Sequence, residues 1–522
     1  MSQKILERYP SLKFPVTLAK VDNQYTSLQN SLPPKSSVEF LDLGDAEGRR
    51  TYERTLVFLL DYISKKREVT IKIEHSYGNA IFGRCLKGNL NLRSVKKEMQ
   101  DLVKKNKNID RAMLPKLEAL HYLSGREDDI NILKNLAASY IPVYKIDGFS
   151  AYFAGPLLPN TSFISTFDLK PVKGGFLLIL PSKEDPLSVG YVEERKKLFN
   201  AYREAEKEAE ILKIWSVSQL NQYIIRGEIS EILKIAEVIH SEKITGICKQ
   251  IVQKRRKIQA VLVAGPSSSG KTTFSKRLGI HLRLHGIEPI YVSLDDYFLE
   301  RDKTPYYKDG THFFDAFSAL DINLFRKHIN DLLKGKKTER IYFNFKTGKR
   351  EKSTGIIELK KNNILIIEGL HCFNPALIKN IPLETFHIYV SPLTQVNINR
   401  VNRIPTRDLR LLRRVFRDTR YRGYNAEYTL KKWESVKDGE EQFVFPYQER
   451  ADVMFNSSLV YELAVLKVFL ETPLRCVPTS SPYYCEALRL LNFLDHFLNI
   501  PEKEIPQTSI LREFIGGSTF LY

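Results

Sequence analysis

Apolar and polar positions change period several times along the chain, and each change predicts a different kind of structure. Residues 1–48 hold short apolar stretches, FPVTLAKV and SSVEFLDL, separated by turn-like DNQ and LPP, which predict a small β-rich unit. From Tyr52 to Ile63 the apolar spacing becomes helical. Residues 69–182 then mix strand-like runs (VTIKI, GGFLLILP) with a charged helical stretch, SVKKEMQDLVKKNKNI, and read as one α+β unit. Residues 186–255 carry apolar residues at three- and four-residue spacing and are expected as connecting helices. From Ile258 strand-like runs (QAVLVAG, PIYVSL, NNILIIEG, FHIYVS, ADVMFNS) alternate with helical ones. That alternation predicts an α/β fold with a parallel sheet flanked by helices, whose ligands bind at the carboxyl ends of the strands. The expected divisions are 1–48, 49–185, 186–255, 256–475 and a helical tail over 476–522.

Composition narrows the classes. A chain of 522 residues exceeds one hydrophobic core, and 43% apolar with 27% charged residues is ordinary for a globular protein. No apolar run approaches the roughly 18 residues of a membrane span, and the first residues lack the apolar core of a signal peptide, so a cytoplasmic protein is the expectation. Five scattered cysteines without a CxxC pair fit neither a disulfide framework nor a zinc knuckle. Lys plus Arg minus Asp plus Glu is 80 − 61 = +19, a balance that attracts nucleic acid, acidic membrane or nucleotide phosphates without choosing among them.

Four elements carry chemistry. Gly265-Pro266-Ser267-Ser268-Ser269-Gly270-Lys271-Thr272, followed by Thr273, is a full G-x-x-x-x-G-K-T between a strand and a helix. Its backbone N–H groups would converge on the phosphates of ATP, with Lys271 on the β- and γ-phosphates and the Thr272 hydroxyl on Mg²⁺. SLDDYF, at the end of the next predicted strand, places Asp295 and Asp296 on the same sheet edge. Asp295 is the first choice for the carboxylate that orients an acceptor hydroxyl and takes its proton, with Asp296 in reserve. ILIIEG ends a buried strand on Glu368, in the manner of a metal-side acid. The series Arg400, Arg403, Arg407, Arg410, Arg413, Arg414, Arg417, Arg420 and Arg422 suits a lid that clamps a transferring phosphoryl group. A solvated basic helix and an RNA-contacting helix are the alternatives for that series.

In this order the four elements resemble the phosphoribulokinase and uridine kinase family, over about residues 258 to 470. The resemblance implies transfer of the ATP γ-phosphate to a sugar hydroxyl. It implies Asp295 as base, Asp315 (in FDAFSALD) holding ribose hydroxyls, Tyr297 on the substrate side, and Glu368 on the metal side. RRVFRD matches the lid arginines and implies Arg414 and Arg417 against substrate and phosphates, with Arg422 a further candidate. Where uridine kinases carry a tyrosine and a histidine in a YDFxTHxR segment, this chain has Phe343 to Arg350. Phe343 can stack on a base, but Gly348 has no side chain to hydrogen-bond one.

The front half resembles another family. VEFLDLGDAEGRRTYERTLVFLL is similar to the end of a TGS (β-grasp) domain running into the second additional domain of threonyl-tRNA synthetases, and YFAGPLLPNTSFISTFDL to a later stretch of that domain. The synthetase domain edits with histidine and cysteine side chains. Here residues 51–57 contain no histidine, and Phe153 and Leu157 stand at the cysteine and histidine positions, so a retained scaffold without editing is expected. The whole predicts a kinase using Mg-ATP on a small hydroxyl-bearing acceptor, a nucleoside first. A non-nucleoside sugar, sugar phosphate or other alcohol, and an RNA-associated regulatory ATPase, are the alternatives. Self-association is left open.

Overall fold

The computed structural model describes residues 14–345 and 347–521. Residues 1–13 of the expected front unit and residue 522 of the expected tail lie outside them. Strands β1 (Val16–Val21), β2 (Gln24–Thr26) and β3 (Val38–Asp42) form a small antiparallel sheet ordered β2-β1-β3. Helix α1 (Ala46–Lys66) follows and is buried along most of its length. It packs with β4 (Thr70–Tyr77) and β5 (Ala80–Lys87) around an apolar core that also holds Phe153 and Leu157. Both of those side chains are fully buried, at 0% and 1% exposure, so apolar packing fills the positions where an editing site would need metal or water.

The rest of the front region contains β6 (Asp110–Pro115), β7 (Tyr140–Ile146) and β8 (Phe149–Ala151) in one sheet. Strands β9 (Asp168–Val172) and β10 (Gly175–Ile179) complete the order β4-β5-β10-β9. Helices α2 (Lys196–Leu212) and α3 (Ile229–Lys254) then lead into the back half.

There five parallel strands are ordered β12-β15-β11-β16-β17: β11 (Ala260–Ala264), β12 (Glu288–Ser293), β15 (Asn363–Gly369), β16 (Thr385–Ser391) and β17 (Val453–Asn456). Alternation along the strands builds a core on each face. Val261, Val263, Ile364 and Ile366 enter one apolar cluster, and Ala260, Leu262, Leu365 and Ile367 enter the other. Helix α4 (Lys271–Arg283) follows β11. The hairpin of β13 (Thr338–Asn344) and β14 (Lys349–Ile357) stands beside the sheet, and α5 (Thr406–Arg417), α6 (Ala426–Phe443), α7 (Glu462–Arg475) and α8 (Tyr484–Leu494) close the fold.

One apolar cluster crosses the divisions drawn from sequence. It joins Ile141 and Tyr152 of the front sheet, Leu220 and Leu233 between the halves, Leu409 and Leu412 of α5, and Leu490 and Phe514 near the end. Each such aliphatic or aromatic side chain contributes about 1.5–3 kcal/mol on burial. Among the described residues no helix is long and apolar enough to cross a membrane.

Candidate active site

The parallel register decides what meets at the sheet edge. Ala264 pairs with Gly369, and Ser293 pairs with Glu368, so β11, β12 and β15 end side by side. Because β15 lies between β11 and β12, Glu368 stands between the loop that follows Ala264 and the turn that carries Asp295.

That loop, residues 265–270, is shaped from behind. A Cβ on Gly265 would stand 2.0 Å from the Val390 carbonyl oxygen in β16, so only glycine allows the chain to start the loop so close to the sheet. Ser267 N donates to Glu440 Oε1 at 2.9 Å, and the Ser267 carbonyl accepts from Arg410 Nε at 3.0 Å. The Ser268 carbonyl accepts from Arg413 Nη1 at 3.4 Å, and the Ser269 carbonyl from Ser457 Oγ at 2.5 Å. With Gly270 as the cap of α4, the first N–H groups of that helix open onto the loop. Lys271 Nζ donates to the carbonyls of Gly265 and Pro266 at 3.0 and 3.1 Å.

The acids gather in front of the loop. Thr272 Oγ1 and Ser293 Oγ both donate to Glu368 Oε1, at 3.3 and 3.0 Å. Burial, reinforced by nearby Asp295 and opposed by Lys271, pushes the Glu368 carboxyl up to about 7. Among the described residues the Asp295 carboxylate has no hydrogen-bond or ion-pair partner, although its N–H donates to Ser293 Oγ at 3.3 Å. Asp296 is differently employed: its Oδ1 accepts from the N–H of Phe343 at 3.3 Å and ties the turn to the hairpin. Burial pushes the half-buried Asp315 up to about 6 against the pull of Arg414.

The arginine series divides by destination, and a solvated basic helix is not what forms. Arg400 and Arg403 point to the front region, Arg403 holding Glu53 at 2.7 and 3.0 Å. Arg410 and Arg413 are buried, paired with Glu440 and with Glu462, and support the loop from its outer side. Arg407 pairs with exposed Glu441. Arg414, Arg417 and Arg422 surround the single carboxylate of Asp418, at 3.3, 3.1 and 3.8 Å, and Arg414 Nη1 donates to Ser267 Oγ at 2.8 Å. Three guanidiniums on one acid leave a net positive pocket wall facing Asp295 and Asp315, which suits a phosphoryl group. Burial and the neighbouring Arg417 lower Arg422 to about 10.

Two expected substrate residues are buried by their packing. Tyr297 is 4% exposed, with its hydroxyl 3.2 Å from His328 Nδ1 and its ring edge-on to Phe325, so it belongs to the core beneath the sheet edge. Phe343 is 1% exposed between Phe298 and Phe345, with ring centroids 5.7 and 5.3 Å away, and presents no face to a ligand. Half-buried Phe345 lies under Arg422 at 4.4 Å and is the aromatic ring nearer the arginine wall. Gly348 sits in the hairpin turn at φ 69°, and a Cβ there would meet Arg301 Nε at 2.7 Å. Its identity follows from turn geometry and the packing of Arg301.

One participant had no local signal. Glu513, in the turn Arg512–Ile515, accepts from both Thr273 N (3.0 Å) and Thr273 Oγ1 (2.7 Å), and Ile510 approaches Gly270. N–H groups at this point of such a loop are the ones that cradle nucleotide phosphates. The carboxylate and a phosphate compete for the same donors. Glu513→Gln, which keeps the shape and removes the charge, is expected to tighten nucleotide binding about tenfold, as read by titration with a fluorescent nucleotide. Unchanged or weaker binding would mean that the two do not compete.

Residues 260–463 match the Phosphoribulokinase / Uridine kinase family. Uridine kinase of Halobacterium salinarum is 26% identical over 217 residues, which is 41% of this chain and 88% of that enzyme. Threonine–tRNA ligase of Francisella tularensis subsp. novicida is 24% identical over 175 residues, or 32% of this chain, which spans 28% of that ligase's length. Among solved structures, D-glycerate 3-kinase of Cryptococcus neoformans var. grubii aligns over 49% of this chain and 87% of its own, at 14% identity and a TM-score of 0.24. Residues 260–463 thus match the Phosphoribulokinase / Uridine kinase family and carry a P-loop kinase fold, behind a region similar to part of threonine–tRNA ligase.

Proposed function

We propose that the protein transfers the γ-phosphate of ATP to a hydroxyl of a small molecule, with a nucleoside as the first acceptor. The observation that carries this reading is the Asp295 carboxylate, without a partner among the described residues, at the sheet edge beside the phosphate loop and opposite the arginines around Asp418. In the proposed reaction Asp295 takes the hydroxyl proton as the alcohol oxygen bonds to phosphorus, and the bridging oxygen–phosphorus bond to ADP breaks. Lys271 turns from its own loop carbonyls to the phosphates. Arg414, Arg417 and Arg422 stabilise charge on the transferring group, and Asp315 accepts hydrogen bonds from the acceptor's other hydroxyls.

Glu368, Thr272 and Asp295 offer only oxygen donors, and the two acids face each other near Lys271; this fits a hard cation such as Mg²⁺. When bound, the ion neutralises phosphate charge. Uracil recognition through a histidine equivalent has no support at Gly348, which leaves sugars and sugar phosphates as the competing acceptors. The RNA-associated reading is weakened because Arg403, Arg410 and Arg413 are engaged inside the protein.

ADP release with Mg-ATP, followed across a panel of nucleosides, pentoses and sugar phosphates, tests the proposal. At least one nucleoside is expected to accelerate it. Release that responds to tRNA and to no small alcohol would overturn the reading.

A further inference from the structure

Lined by none of the phosphate-loop residues, a cavity of about 310 Å³ opens between β4, β5, α2 and the stretch around Asn397. Neighbouring residues on a strand normally face opposite ways. In β4 the register against β5 shifts between Ile73 and His75, leaving Glu74 as the extra residue, and this bulge turns Glu74 and His75 into the same cavity. Helix α2 supplies the opposite wall. Tyr202 stacks on the His75 ring at 3.6 Å and 3°, and Glu206, one turn further on, reaches the same point.

The three side chains each bring a ligand atom within 4.8 Å of the others. His75 is 5% and Glu74 7% exposed. His75 Nδ1 lies 3.2 Å from the Ser76 carbonyl, a contact that places the ring proton there and leaves a lone pair on Nε2. Among the described residues His75 Nε2 has no hydrogen-bond partner, and the Glu74 and Glu206 carboxyl groups meet each other beside it. The cations nearby are accounted for: Lys72 Nζ (3.3 Å) and Arg84 Nε (2.6 Å) both approach Glu74 through Oε1, and Arg84 Nη1 lies 3.7 Å from Glu206 Oε2. What remains is an imidazole lone pair converging with two carboxyl groups on one point, an arrangement that repels itself unless a cation or a proton lies between.

We infer that Glu74, His75 and Glu206 bind a divalent transition-metal ion of the zinc class. One imidazole and two carboxylates are a common ligand set for such an ion, and the fourth position faces the cavity. Lys72 and Arg84 then act as outer partners that orient the Glu74 carboxylate, and the stacked rings of Tyr202 and Phe82 fix the imidazole plane. The ion joins β4 to α2 at the seam where Asn397 Nδ2 donates to the Ile73 carbonyl at 2.7 Å.

The test uses the full chain, freed of metal by chelation and titrated with Co²⁺ and then Zn²⁺ in excess Mg-ATP, which keeps the phosphate-loop acids occupied. One equivalent of Co²⁺ is expected to give a visible ligand-field band that Zn²⁺ abolishes. His75→Ala, and the gentler Glu206→Gln on a half-buried helix face, should each lower affinity at least about tenfold. A circular dichroism spectrum like the parent's would show that these variants fold. Absence of a saturable equivalent in the parent protein, or equal affinity in Glu206→Gln, would overturn the inference and leave a shared proton between the two carboxylates.

Discussion

Asp295→Asn is expected to slow phosphoryl transfer by about 10²–10⁴-fold, the range a positioned general base contributes. Nucleotide affinity should be retained, because the bonds that shape the loop come from Arg410, Arg413, Glu440 and Ser457. Single-turnover rates and a nucleotide titration on the same preparation separate the two effects. Undiminished turnover would move the base role to Asp296 or elsewhere. The structure makes Asp296 the weaker choice, since its carboxylate already accepts from the Phe343 N–H. Burial pushes the Asp296 carboxyl up to about 6, so below that pH it is mostly protonated and cannot take a proton.

The second large effect is on stability. Arg413→Met should cost about 3–5 kcal/mol, because it leaves Glu462 buried with its charge unpaired. The two side chains are 0% and 2% exposed and meet at 2.5 Å. Burial pushes the Glu462 carboxyl up even with the arginine present, which is the sign of a costly site. Arg413→Met combined with Glu462→Leu should recover much of the loss, as read from urea unfolding midpoints. Equal instability in the single and double variants would assign the cost to the lost bonds to the Ser268 and Ser457 carbonyls and to packing on Phe514.

What could be read in advance was local. The loop, the strand before it and the helix after it lie within one short stretch, and period-2 apolar runs ending in Asp295 or Glu368 place acids at a sheet edge wherever strands are parallel. The order of the strands was not legible, and with it the position of Glu368 between loop and base. The arginines show the same limit. Spacing puts Arg410, Arg413, Arg414 and Arg417 on one amphipathic helix, yet their tasks depend on Glu440, Glu462 and Asp418, whose role as partners has no signature near α5. Tyr297 and Phe343 look like ligand-facing aromatics in isolation. Phe325 covers the first and Phe298 and Phe345 enclose the second, a consequence of packing that no short motif encodes.

The Glu513 contact has a consequence for how the protein is made. Thr273 and its acidic cap are separated by 240 positions, so a ribosome that has just released the arginine helix has translated every recognisable kinase motif and still lacks one wall of the nucleotide pocket. A transcript interrupted beyond α7 would encode a polypeptide with intact signatures and an open loop helix, one that handles nucleotides differently from the full chain.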